Sequence, residues 1–157
     1  MKLRPKEKKI HFTRDGLEKI QKEHDLLVHQ RKDAVTNLSI ARAMGDLSEN
    51  AAYTAARRKL STMDGQIRRL AQVIRNAEIV EVNFKGFVEL GCSVTISDGK
   101  TERTFMIVGG YESDIVNNKL SQFSPIGKAV MGKKKGEQVI VLAPAGVIKY
   151  TITDVKG

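Results

Sequence analysis

The chain has 157 residues, 41% hydrophobic and 29% charged, with a formal net charge of +9. This balance excludes a disordered chain, and the longest purely apolar run, Val139 to Ala143, is too short for a membrane-spanning helix. The single cysteine, Cys92, excludes an internal disulfide and fits a reducing cytoplasm.

The positive charge is unevenly spread. Residues 1–80 hold 17 basic and 10 acidic side chains, against 10 and 8 in residues 81–157. A basic first half suits a polyanionic partner, either nucleic acid or an acidic protein surface. The opening MKLRPKEKKIHF is basic, but no apolar stretch follows it, so no signal peptide is expected.

Thr13 is placed to cap a first helix. Beyond it Leu17, Ile20, His24, Leu27, Arg31, Ala34, Leu38 and Ala41 recur three and four residues apart. Tyr53, Ala56, Leu60, Met63, Ile67, Leu70, Ile74 and Ala77 do the same. Each series is an a/d seam on a helix. His24 and Arg31 interrupt the first seam and are expected to set register or to reach for the surface. Gly65 lies off the second seam and should weaken its helix by about 1 kcal/mol relative to Ala. Gly45 is expected to end the first helix in a left-handed conformation, leaving about Met44 to Leu47 as the link. So short a link makes the helices antiparallel neighbours, each roughly 45 Å long at about 30 residues.

Around Ile79 the period changes to short β runs. IVEV (79–82), FVEL (87–90), CSVTIS (92–97) and RTFMIV (103–108) read as strands, with a hairpin turn at Asp98-Gly99. EQVIVLAP (137–144) and VIKYTITDV (147–155) form another pair around Ala145-Gly146. Between them Ser124 can cap a short helix, with Pro125 at its first position and Gly132 past its end. VNFKG (82–86) reads as a linker, and Cys92 as a small buried hydrophobe. The expected fold class is α+β. An N-terminal antiparallel helical hairpin, or coiled coil, takes residues 1–80. A compact β-rich domain with one short helix takes residues 81–157.

The link carries two acids, Asp46 and Glu49, in ARAMGDLSENAAY. One reading is a capping box, with Asp46 accepting from the amide of Glu49 and Glu49 reaching back. The other is a partial metal site. Carboxylate oxygens suit Mg²⁺, which wants six oxygens and commonly takes one or two carboxylates, waters and a substrate phosphate. The remaining ligands would then come from another molecule. Arg42 before the link and Arg57, Arg58 and Lys59 after it could hold a nucleic-acid backbone, or form an ordinary solvated helix face.

The stretch ARAMGDLSENAAYTAARRKLSTMDGQIRRL resembles the signature of the bacterial transcript-cleavage factors GreA and GreB, whose tip reads Gly-Asp-x-x-Glu-Asn-x-x-Tyr. IVGGYESDI and LSQFSPIGKAVMGKKKGEQVIVLAPAGVIKYTITDV resemble the family's second domain, and FTRDGLEKIQKEHDLL its N-terminal helix start. The resemblance implies an FKBP-like second domain and a coiled coil that enters the secondary channel of bacterial RNA polymerase. It implies that the tip acids help the polymerase's own active centre hydrolyse backtracked RNA. On that basis Asp46 would help hold a Mg²⁺ shared with the polymerase, and Glu49 would orient or activate the attacking water. Asn50 and Tyr53 would support the tip. Arg57 and Arg58 match a basic patch facing the 3′ segment of the nascent RNA. The protein is expected to be a cytoplasmic monomer, not itself an enzyme, with no stably bound cofactor and no membrane partner. Ala52 stands where the family usually has an acid, and Gly65 where a charged residue is more common. AAYTAAR favours GreA and the doubled Arg57-Arg58 favours GreB, and a GreA-like protein is expected.

Three other readings remain open at this stage. A channel-binding relative could inhibit or modulate transcription without stimulating cleavage, although both tip acids argue against it. A prolyl isomerase would need an aromatic-lined pocket, which a half without Trp supplies poorly. A plain nucleic-acid-binding protein would find the tip acids a hindrance.

Overall fold

The computed structural model describes residues 9–46 and 49–157. The expected basic leader, 1–10, lies almost wholly outside the described residues. The chain divides into two compact units. Leu17–Ala77 belong to one, and Lys9–Gly16 join Glu78–Gly157 in the other.

The first unit is a helical hairpin. Helix α1 spans Arg14–Ala43 and α2 spans Ala51–Arg75. Thr13 caps α1 as expected, its Oγ1 accepting from the amide of Gly16 at 3.1 Å. Burial follows the two seams. Ile20, Ala34 and Ala41 are buried on α1, and Met63 and Leu70 on α2, where Val73, beside the seam residue Ile74, is buried as well. The other seam residues are half-buried, Arg31 alone being exposed. The helices run antiparallel: Ala41 meets Asn50, and Arg31 meets Asp64. The link is longer than the expected Met44–Leu47, since α2 begins only at Ala51. Gly45 does adopt a glycine-favoured positive φ, but at 144° it lies far from the left-handed helical value.

Gly65 sits within α2, and a Cβ there would meet nothing within 4 Å. Gly65→Ala therefore removes backbone entropy from the unfolded chain without strain. It is expected to stabilise the hairpin by about 0.5–1 kcal/mol, read as a higher midpoint in thermal melts followed by far-ultraviolet circular dichroism.

The second unit is built on a five-stranded sheet. Strands β3 (Ser93–Ser97), β4 (Glu102–Val108), β5 (Lys119–Ser121), β6 (Gln138–Ala143) and β7 (Gly146–Lys156) lie in the order β5-β4-β3-β7-β6. All neighbours are antiparallel except β4 and β5. The short helix α3 (Pro125–Val130) is capped by Ser124, whose side chain accepts from the amide of Gly127. Alternation fills one face of the sheet. Val94, Ile96, Ile107, Val139 and Ile152 close a core with Val130 and the fully buried Cys92. Asp98 Oδ1 accepts from the amides of Lys100 and Thr101, each at 2.8 Å, and so closes the β3–β4 hairpin.

Two expected strands are corrected. Of IVEV only Ile79 is in a strand, β2 (Ala77–Ile79), which pairs with β1 (Ile10–Phe12), a strand the period does not reveal. FVEL forms no strand. Val88 and Leu90 are buried, which is what the alternation records, but the backbone pairs with the segment after α3. The Val88 amide donates to Lys133 and its carbonyl accepts from Gly132.

The segment Lys9–Gly16 is anchored in this second unit. Phe12 is fully buried and stacks on Tyr111, with ring centroids 6.0 Å apart. Beside it Glu112 is the one buried charged side chain among the described residues. Its carboxylate accepts from the Thr13 amide at 2.8 Å and from the Thr13 hydroxyl.

Candidate functional site at the hairpin tip

The tip is made by the end of α1, the link and the start of α2. Asp46 and Glu49 both lie in the link and both are exposed. Neither caps α2. That role belongs to Asn50, whose Oδ1 accepts from the amide of Tyr53 at 2.9 Å. The capping-box reading, with Asp46 in the cap position of α2, is therefore corrected, and its middle residues, Leu47 and Ser48, lie outside the described residues.

Asn50 does a second thing. Its Nδ2 donates to the carbonyl of Ala41 at 2.7 Å. That carbonyl is in the last turn of α1, where it also accepts from the amide of Met44 at 3.3 Å. One side chain thus satisfies an orphan donor of α2 and adds a second, shorter bond to a last-turn carbonyl of α1, and ties the two helix ends together. Tyr53 continues the seam half-buried, and its amide is the donor that Asn50 holds. The consequence is that the two acids are left on the surface of a pinned loop.

Asn50→Ala removes both bonds. A lost N-cap costs about 1–2 kcal/mol. We expect a loss of that size in chemical unfolding, with the link more readily cut by protease. Asn50→Asp keeps the cap and loses only the bond to Ala41, so it separates the two contributions.

The four cations are exposed, but they do not form one cluster. Arg57, Arg58 and Lys59 are consecutive on a helix, so they point about 100° apart. Arg58 shares a hollow of about 360 Å³ with Glu49, Asn50 and Thr54. Arg58 and Lys59 border a second hollow, facing Leu27 and Gln30 of α1. Arg42 lies in the last turn of α1, where a cation complements the helix dipole.

The donor chemistry at the tip is that of hard, exposed carboxylate oxygens, which suits Mg²⁺ as a partial ligand set. Among the described residues no three of His, Cys, Asp and Glu are grouped to hold a metal ion. Nor is any helix among them long and apolar enough to cross a membrane.

Sequence reasoning missed the bond from Asn50 to Ala41 and the pair between Arg31 and Asp64. The second was signalled: Asp64 is the only carboxylate in α2, and Arg31 the only cation on the α1 seam.

Comparison with known proteins covers nearly the whole length. The family described as "Transcription elongation factor, N-terminal" matches residues 10–79, and "Transcription elongation factor, GreA/GreB, C-term" matches residues 83–157. The chain is 39% identical over 154 residues to "Transcription elongation factor GreA" of Caldanaerobacter subterraneus subsp. tengcongensis, covering 95% of this chain and 98% of the relative. It is 42% identical over 154 residues to the protein of the same name from Neorickettsia sennetsu, covering 95% and 97%. Among solved structures, GreA factor homolog 1 (Gfh1) of Thermus thermophilus aligns with a TM-score of 0.46 at 20% identity, over 96% of this chain and 100% of that one. With both family matches in order and these identities over nearly the full length, the chain belongs to the GreA/GreB family of transcription elongation factors.

Proposed function

We propose that this protein is a GreA-type elongation factor that binds bacterial RNA polymerase and inserts the hairpin tip into its secondary channel. There it stimulates the polymerase's own Mg²⁺-dependent cleavage of backtracked RNA and so rescues arrested complexes. The observation that carries the reading is that Asn50, and neither acid, is the N-cap of α2, with Asp46 and Glu49 both exposed at the hairpin tip and Glu49 beside Arg58. Two exposed carboxylates three residues apart in sequence, at the end of a long hairpin, suit a metal ion whose other ligands come from another molecule. Helix α1, at 30 residues and about 45 Å, is long enough to carry them deep into a narrow space.

In this reading Asp46 offers carboxylate oxygens to a Mg²⁺ whose other ligands belong to the polymerase and the RNA. The bound ion supplies charge neutralisation at the phosphodiester and a water more easily deprotonated. Glu49 accepts a hydrogen bond from the attacking water and orients it. Arg58, on the side of α2 that Glu49 shares, faces the phosphates of the RNA 3′ segment, and Arg42, Arg57 and Lys59 add sequence-independent attraction. Asn50 and Tyr53 hold the loop. The protein completes another protein's active centre and is not itself an enzyme.

The test is a stalled bacterial elongation complex carrying labelled RNA. Purified protein alone leaves free RNA intact. Added to the backtracked complex with Mg²⁺, it releases short 3′ fragments and allows elongation to resume. Inhibition of elongation without RNA shortening would instead mark a channel-blocking factor.

A further inference from the structure

We infer that the Arg31–Asp64 pair sets the register of the helical hairpin and thereby the spacing of the two tip acids, which makes both positioning residues. The inference rests on the function proposed above for those acids.

Packing alone specifies this register weakly. The seams carry Ala34, Ala41 and Ala56, and small side chains fill shifted holes almost as well as native ones. The link from Met44 to Asn50 has enough residues to follow a slip. Arg31 supplies what packing lacks. Its Nε donates to Asp64 Oδ1 at 2.6 Å and its Nη2 approaches Asp64 Oδ2 at 3.4 Å, a two-point contact between helices. No other carboxylate exists in α2. Moving α2 one turn brings Arg68 or Leu60 to the place of Asp64, which replaces attraction by repulsion or by nothing. A polar contact at a seam is the device by which coiled coils select one register, often at some cost in stability. Hydrogen bonding to Arg31 holds Asp64 below the usual aspartate range, so the pair is intact at neutral pH. Its contribution is lost only as pH falls through that lowered value.

The register matters because the acids hang from different helices. Asp46 follows α1 and Glu49 precedes α2. A one-turn slip displaces one helix end against the other by about 5 Å. Metal ligands tolerate errors of only about 0.2 Å. The same slip breaks the bond from Asn50 to Ala41.

The test replaces the pair by Arg31→Leu with Asp64→Leu, which puts an apolar pair in its place, and compares it with Asp64→Glu, which keeps the carboxylate. Spin labels at Asp33→Cys and Ser61→Cys, both exposed positions, report the distance between helices, while Cys92 is fully buried and out of reach. The leucine pair is expected to keep its helical content and melting temperature. Its label distance should broaden or shift by about one turn, roughly 5 Å. Its maximal rate of stimulated RNA cleavage should fall roughly tenfold or more, with the half-saturating concentration unchanged. Asp64→Glu should keep the native distance and rate. A leucine pair with the native distance, or with native cleavage, overturns the inference. If the unsubstituted protein itself stimulates no cleavage, the functional reading fails, and the label distances still decide the register.

Discussion

Asp46→Ala and Glu49→Ala are each expected to lower stimulated RNA cleavage by about 100-fold or more, the scale of a lost general base or metal ligand. Because Asn50 caps α2, Glu49→Ala should not cost stability beyond about 0.5 kcal/mol, the range of ordinary surface changes. If Glu49 served in a cap, its loss would approach about 1 kcal/mol. The unfolding midpoint therefore separates the two roles before any transcription assay is run. The isosteric variants divide the chemistry further. Asp46→Asn removes charge from a metal ligand, so raising Mg²⁺ should restore part of the rate. Glu49→Gln removes a proton acceptor, and extra Mg²⁺ should not restore it. Both variants should still compete with the unsubstituted protein for the polymerase, since the carboxylates act on the maximal rate and not on docking. Cleavage at the unsubstituted rate by both alanine variants would remove the catalytic assignment.

Much of the hairpin could be read from the chain because its burial follows a single period. Every seam residue but Arg31 is at least half-buried. The cap of α2 was harder. Asp46-x-x-Glu49 satisfies a capping-box pattern, and Asn50 is an equally good cap three residues before Tyr53. What favours Asn50 is its second bond, to Ala41 on the other helix, and no local pattern encodes that. In the β half, CSVTIS and RTFMIV were legible through their alternation. FVEL alternates equally well, yet its backbone partners lie in a loop. Strands β1 and β5 hold three residues each, too few to display a period. Glu112 lies 99 residues from the threonine it serves, so nothing near it in sequence announced a buried charge.

That buried charge leads to the largest expected stability effect: Glu112→Ala should cost about 3 kcal/mol in chemical unfolding of the second unit. Hydrogen bonds to a charged group contribute about 1.5–3 kcal/mol, and this carboxylate accepts two, from the amide and the hydroxyl of Thr13. The hydroxyl in turn accepts from the Gly16 amide, so the chain of bonds runs from Glu112 into the first turn of α1. A negative charge there also complements the helix dipole. The niche is shaped for this one side chain. A Cβ at Gly16 would collide with the Glu112 carboxylate, and a Cβ at Gly109 with the carbonyl of His11. Gly16→Ala should thus mimic Glu112→Ala by displacing the carboxylate from outside. Glu112→Gln keeps shape and one acceptor, and should fall between the two extremes. Hydrogen exchange gives the local readout: with the carboxylate gone, the Thr13 and Gly16 amides should exchange faster, while the Ile152 amide, in the core of the sheet, follows only the global change. A Glu112→Ala variant within about 0.5 kcal/mol of the parent would mean that Phe12 on Tyr111 and the β1–β2 ladder hold the segment without it.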